Sequence, residues 1–144
     1  MTSYTGLFDL AEKVAVVTGG AGFLGKHFCR GLAEAGASVV VVDITASEVL
    51  AIVDEINKKH PGRALGVVAD VTQPAEVQKI TADAVKHFGR IDILLNNAAG
   101  KGRDLDQYFA PFEEYTLEQW REVMAINIDA MFLMAQAVGR QMLK

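Results

Sequence analysis

The sequence predicts an α/β domain, a doubly wound parallel sheet with helices on both faces. Three observations carry this. Four short apolar runs alternate with segments of helical periodicity. The runs are continuously apolar, as expected of strands buried on both faces. A glycine-rich turn directly follows the first run and opens the first helix.

The first strand is Val14 to Thr18 (VAVVT). The helix after it spans Leu24 to Ala35, with Gly36 placed to end it in a left-handed conformation. The second strand is Ser38 to Asp43 (SVVVVD). Thr45-Ala-Ser-Glu48 reads as a capping box for a helix carrying Val49, Ile52, Val53 and Ile56 on one face. His60-Pro61-Gly62 stops that helix. The third strand is Ala64 to Ala69. Pro74 sits where the next helix begins; its stripe is Val77, Ile80, Ala84, Val85 and Phe88, and Gly89 closes it. The fourth strand is Ile91 to Asn96. A second capping box, Thr116-Leu-Glu-Gln119, starts a long apolar helix through Trp120, Met124, Ile128, Met131 and Met134 to about Leu143. Right-handed crossovers then give a parallel sheet in the order 3-2-1-4. Gly100 to Tyr115 is the one extended irregular stretch. Long loops are often functional, and the plainer alternative is that its aromatics tuck onto the core.

Length and composition bound the function. A chain of 144 residues is enough for one domain with its own core. Net charge is −4 with scattered cations, which argues against a nucleic-acid partner because phosphate binding wants a basic face. Cys29 is the only cysteine, so no disulfide framework exists, and a reducing cytoplasm is the expected setting. The first 13 residues carry Asp9 and Glu12 and lack a basic-then-apolar leader pattern; no run is expected to span a bilayer, so no membrane partner is expected. His27, His60 and His87 fall on separate segments without ligand spacing, so no metal is expected.

The turn Thr18-Gly19-Gly20-Ala21-Gly22-Phe23-Leu24-Gly25 carries the chemistry. A helix N-terminus offers unpaired N–H groups and the positive end of a dipole, which suits a pyrophosphate. Glycine lets the backbone approach the phosphates and lets helix and strand pack closely. Gly20-Ala-Gly22-Phe-Leu-Gly25 has the Gly-x-Gly-x-x-Gly spacing of a Rossmann-type dinucleotide site within a β-α-β unit. Asp43 ends the second strand, where an acidic residue accepts from the ribose hydroxyls. A carboxylate there repels the 2′-phosphate of NADP, and neither Ile44 nor Thr45 supplies a compensating cation. NAD is therefore the expected cofactor, in preference to NADP. Gly19, Ala21, Gly22, Phe23, Leu24, Gly25, Asp43 and Ile44 are the candidate contacts from this half of the site.

With these motifs the chain resembles the short-chain dehydrogenase/reductase family over nearly its whole length. Thr18-Gly19 with Gly22 and Gly25, Asp70-Val71, Asn96-Asn97-Ala98-Ala99-Gly100 and Asn127 occur in the family's order. The resemblance implies that Asp70 and Val71 flank the adenine ring, the carboxylate accepting from its amino group. It implies that Asn97, Ala98 and Ala99 line the cofactor cleft and brace the sheet. Phe23 and Leu24 would sit near the pyrophosphate and the nicotinamide side. Asn127 would be the catalytic helix asparagine that holds a water in the proton relay. The family's usual loop has glycine where Phe23 stands; here it falls at Gly22, as in the extended branch.

The family's proton donor is a tyrosine followed four residues later by a lysine, and no Tyr-x-x-x-Lys occurs in this sequence. A sheet in the order 3-2-1-4 would also leave the fourth strand's outer edge unpaired. Residues 1–144 are therefore expected to be one NAD-binding Rossmann domain, cut short on its C-terminal side and carrying four of the usual strands. The resemblance implies an oxidoreductase moving hydride between nicotinamide and an alcohol or carbonyl, with a sugar or polyol as favoured substrate. Lys101, Arg103 and the loop aromatics are the substrate-side candidates. The whole enzyme is expected to form homo-oligomers. The alternative is a non-catalytic NAD-binding module that controls association with a partner.

Overall fold

A computed structural model describes residues 8–144. Four parallel strands, β1 (Val14–Thr18), β2 (Ser38–Asp43), β3 (Ala64–Val68) and β4 (Ile93–Leu95), form one sheet in the order β3-β2-β1-β4. Val16 is the hub of the register, paired with Val40 on one side and Leu94 on the other. This is the Rossmann-type α/β sheet that the alternating pattern predicts.

Strand periodicity sorts the core into two layers. Val14, Val16, Val40, Val42 and Val67 face helix α3 (Pro74–Phe88) and helix α6 (Ala130–Met142), meeting Ile80, Ala84, Met134 and Val138. Val17, Val39 and Val41 face α1 (Gly25–Glu34) and α2 (Ala46–Lys59), meeting Cys29, Ala33, Val49, Ile52 and Ile56. β1 and β2 are buried on both faces, which is why they read as unbroken apolar runs.

Helix ends follow local chemistry. Pro74 opens α3, and Gly89 closes it with φ 83°. Gly36 turns the chain after α1 with φ 99°. The Thr116 hydroxyl accepts from the Gln119 amide at the start of α5 (Leu117–Met124). Three expectations need correction. Thr45 makes no side-chain cap: the Glu48 amide donates to the Thr45 carbonyl instead of its hydroxyl, and the Thr45 amide, which Glu48 would reach in a capping box, is taken by Asp43 Oδ1. The predicted box at Thr116 is one-sided, since the Gln119 side chain donates to the Lys101 carbonyl instead. The fourth strand is shorter than predicted. Asp92 turns its carboxylate onto the Val14 amide, and Asn97 is drawn off toward Thr18.

The last helix is interrupted. Between α5 and α6 the backbone passes through a π-helical turn, Ala125–Asp129, that contains Asn127. Together these segments run from Leu117 to Met142, 26 residues within which an 18-residue stretch reaches a mean hydropathy of 1.2. By length and composition alone such a stretch could cross a bilayer, although Asn127 and Asp129 interrupt its apolar residues. Ala130, Met134, Ala137 and Val138 are buried against the sheet and α3, so part of this apolarity serves the core. The opposite side leaves Ile128, Met131 and Phe132 exposed. The loop before it holds a short helix α4 (Leu105–Tyr108) and a 3-10 turn, Phe112–Glu114. Its Phe109 and Phe112 do not tuck onto the core; Phe112 is 88% exposed.

Candidate active site

Every strand ends at one cleft. Gly19 follows β1, Asp43 ends β2, Asp70 follows β3 and Asn97 follows β4, and all four residues line a cavity of about 760 Å³. The carboxyl ends of strands on either side of a topological switch point are where open α/β sheets bind ligands.

The glycine turn is shaped by close approach. Gly19 has φ 60°, and a Cβ there would lie 2.9 Å from Ala98 Cα. A Cβ on Gly25 would collide with the Gly19 carbonyl oxygen. At Gly22, by contrast, an added Cβ would meet only the Gly19 oxygen, at 3.2 Å, and the residue lines the cleft. The amides of Phe23, Leu24 and Gly25 have no acceptor among the described residues, and all three residues line the same cavity. Unpaired N–H groups at a helix start, with no side chain in the way at Gly22, fit a pyrophosphate. The side chain of Phe23 is 79% exposed at the cleft, edge-on to His27 at 6.2 Å between ring centroids.

Three polar residues hold the strand ends in place. The Thr18 hydroxyl accepts from the Asn97 and Ala98 amides, each at 3.0 Å. Asn97 Nδ2 donates to the Thr18 and Gly19 carbonyls at 3.0 Å. This ties β4 to the glycine turn. Asp43 Oδ2 accepts from the Ala21 amide at 3.2 Å.

Asp70 closes the far end. Its Oδ1 accepts from the Thr72 amide at 2.9 Å and the Thr72 hydroxyl at 2.7 Å. Burial pushes this carboxyl up, but the Thr72 and Gln73 hydrogen bonds and the Arg103 charge bring it below the usual carboxylate range. It is therefore ionised at neutral pH. Asn127 grips Gly100 at both backbone groups, accepting from its amide at 3.2 Å and donating to its carbonyl at 2.7 Å. It also donates to the Val123 carbonyl at 2.8 Å, within the π-turn.

Of the residues singled out from the sequence, the structure brings Gly19, Gly22, Phe23, Leu24, Gly25, Asp43, Ile44, Asp70, Val71, Asn97, Ala98 and Ala99 to the cleft wall. Two are placed otherwise. Ala21 is buried, and its amide is spent on Asp43, so it supports the turn rather than lining the cavity. Asn127 lies behind Gly100 and does not line the cavity. On the substrate side, Lys101 is drawn over the Tyr108 and Phe109 rings, 4.9 Å from the latter's centroid, and only Arg103 reaches the cleft. Tyr108 and Tyr115 do not line it, and Tyr4 lies outside the described residues. Thr72, Glu122 and Ile126 line it without having been singled out. Thr72 was legible as the third residue of an Asp-x-Thr turn.

A doubly wound parallel sheet whose open glycine turn faces a cleft at the strand ends defines a Rossmann-type α/β protein. The chain belongs to the short chain dehydrogenase family, whose model matches residues 13–144. It is 39% identical over 137 residues to D-threitol dehydrogenase of Mycolicibacterium smegmatis, covering 95% of this chain and 50% of that protein. It is 37% identical over 140 residues to the NAD-dependent glycerol dehydrogenase of Listeria innocua, covering 94% of this chain and 50% of that protein. Among solved structures it resembles 7 alpha-hydroxysteroid dehydrogenase complexed with NADH and 7-oxo glycochenodeoxycholic acid. The TM-score is 0.85 at 32% identity, covering 99% of this chain and 52% of that one. The chain thus spans about half the length of the relatives it matches.

Proposed function

We propose that residues 13–144 form the cofactor-binding part of an NAD-dependent oxidoreductase acting on an alcohol or carbonyl, with a polyol or sugar as the substrate class. The observation that carries this reading is the cleft itself. Unpaired amides of Phe23, Leu24 and Gly25 stand at one point of its wall, the Asp43 carboxylate at a second and the Asp70 carboxylate at a third. A dinucleotide lying across the sheet would put its pyrophosphate on the amides, its adenosine ribose on Asp43 and its adenine amino group on Asp70. The Asp43 charge favours a free 2′-hydroxyl over a 2′-phosphate, hence NAD over NADP. The similar structure named with NADH and the NAD-dependent glycerol dehydrogenase point the same way. The polyol preference rests on the threitol and glycerol enzymes.

When bound, the nicotinamide would supply the hydride acceptor or donor, while this chain's residues bind and orient it. Asn127, through its grip on Gly100, would hold the cleft wall beside the reacting end. The exposed row Ile128, Met131 and Phe132 would join copies of the protein into an oligomer, and the reduced thiol of Cys29 suits a cytoplasmic setting.

The test is a fluorescence titration of the protein with NADH and with NADPH, followed by turnover assays with threitol and glycerol. Tighter NADH binding is expected. NADPH binding as tight as NADH would overturn the cofactor assignment. Residues 1–144, which hold no Tyr-x-x-x-Lys, are expected to bind NADH without turnover; oxidation of threitol or glycerol by these residues alone would overturn their reading as the cofactor-binding part only.

A further inference from the structure

Asp70 lies in neither strand nor helix, yet it is pinned on three sides. Its carbonyl accepts from the Gln73 amide at 3.0 Å, closing a turn. Its Oδ1 holds Thr72 through two hydrogen bonds. Its own amide, just beyond the end of β3, donates to Glu76 Oε2 at 2.6 Å. Glu76 is the third residue of α3. A glutamate there ordinarily reaches back to the amide of the residue capping the helix. In this chain the capping residue is Gln73, whose amide is already spent on Asp70, and Glu76 reaches six residues back instead.

We propose that Glu76 is a positioning residue for the adenosine end of the cleft: its carboxylate fixes the Asp70–Val71 backbone, so that Asp70 Oδ2 and the Val71 side chain are set to receive the base. The inference rests on the reading above that adenosine lies against these two residues. The geometry makes the division of labour plain. Asp70 spends Oδ1 on Thr72, while no backbone amide or hydroxyl of the described residues donates to Oδ2, which remains for a ligand. That oxygen can be aimed only if the backbone carrying it is fixed. The short hydrogen bond to an ionised carboxylate is the strongest tie available to an amide otherwise left without a partner. Glu76 itself does not line the cavity, so it acts through Asp70 and not on a ligand.

The experiment uses three probes. 5′-AMP reports the adenosine end, reduced nicotinamide mononucleotide the other end, and NADH both. Glu76→Ala is expected to weaken 5′-AMP and NADH by the same factor, about tenfold for one lost charged hydrogen bond, with the mononucleotide unchanged. Glu76→Gln keeps an oxygen acceptor at the same reach and is expected to recover most of the loss. If Glu76→Ala does not fold, Glu76→Asp keeps the first-turn charge but is one methylene too short, and carries the same expectation. 5′-AMP affinity within about twofold of the parent, an equal loss with the mononucleotide, or no recovery with glutamine would overturn the proposal. Asp70→Ala separates the two levels. If it weakens 5′-AMP while Glu76→Ala does not, Glu76 alone is misassigned; if it too has no effect, the adenosine placement falls and the proposal with it.

Discussion

Asp43 Oδ2 accepts the Ala21 amide at 3.2 Å, so the residue that ends β2 also fastens the glycine turn after β1. Its other oxygen collects the amides of Ile44 and Thr45. The carboxylate proposed to choose the cofactor is thus part of the turn's own support. Asp43→Ala is expected to lower affinity for both cofactors, because the turn loosens. The loss for NADH should be the greater, roughly tenfold more than for NADPH, since only NADPH is relieved of charge repulsion. Parallel titrations check this. An equal loss for the two would leave Asp43 a structural residue only.

Gly22 and Gly25 separate binding from folding. A carboxylate at Gly22 would enter the cleft where the pyrophosphate is proposed to lie, and its Cβ meets little else. Gly22→Asp is expected to abolish NADH binding while lowering the melting temperature less than Gly25→Ala does, since its Cβ would sit 3.2 Å from the Gly19 carbonyl oxygen rather than inside it. Gly25→Ala drives a methyl into the Gly19 carbonyl, and backbone cannot yield as a flexible side chain does. It should therefore lower both binding and stability. Calorimetry alongside NADH titration distinguishes the two; NADH affinity unchanged in Gly22→Asp would misplace the phosphate site.

Much of this was legible in the sequence because its causes are local. The runs at Val14 and Ser38, the glycine spacing, Pro74 at a helix start and Gly89 at its end each act within a few residues. What stayed hidden depends on tertiary contacts. Nothing around Ala21 says that its amide faces a carboxylate 22 residues away. Thr45 looked like a cap because the sequence does not show that the Glu48 amide meets the Thr45 carbonyl instead of its hydroxyl. The apolar pattern from Trp120 to Leu143 fits one regular helix, and only the grip of Asn127 on Gly100 accounts for polar pairing at the π-turn. Lys101 and Arg103 were equal candidates by type. The Tyr108 and Phe109 rings, placed by the loop's own short helix, take one of them away from the cleft.

Thr18 is 2% exposed, and its hydroxyl is the shared acceptor for the Asn97 and Ala98 amides. Thr18→Val preserves shape and leaves both amides without that partner. A loss of about 3 kcal/mol in urea unfolding is expected, from the cost of unpaired buried donors. Thr18→Ser keeps the hydroxyl and should lose only about 1 kcal/mol for the missing methyl. Equal losses in the two variants would show that packing rather than the hydroxyl joins β4 to the glycine turn.

Asn127 donates to two carbonyls, Gly100 and Val123. Asn127→Asp replaces those donations with an acceptor facing acceptors, whereas Asn127→Ala simply removes them. Asn127→Ala also removes the Oδ1 that accepts the Gly100 amide and should speed hydrogen exchange there by about tenfold or more; Asn127→Asp keeps an acceptor for that amide, so its protection should fall less, while the aspartate should be the less stable at pH 7 and recover as acid protonates it. Unchanged protection at Gly100 would mean the loop is held by something other than Asn127.

At the opposite end of the sheet, Asp92 takes the Val14 amide at 2.9 Å and pairs with Arg90 and Lys13. Its side chain is 13% exposed. Burial pushes its carboxyl up, but the Arg90 hydrogen bonds, the Val14 amide and the two cations outweigh it and hold the group below the usual range. A carboxylate depressed in the folded state adds stability that is fully present above its unfolded pKa, about 3.9. That contribution is lost as pH falls through the lower folded value. Asp70 is depressed as well and adds to the same limb. Unfolding free energy is therefore expected to hold from neutrality to about pH 5 and to fall below about pH 4. Asp92→Asn keeps an oxygen for Val14 but has no charge to lose. It should be less stable at pH 7 and show a shallower acid decline, with the two curves converging in acid. Parallel curves across that range would assign the acid sensitivity to other carboxylates.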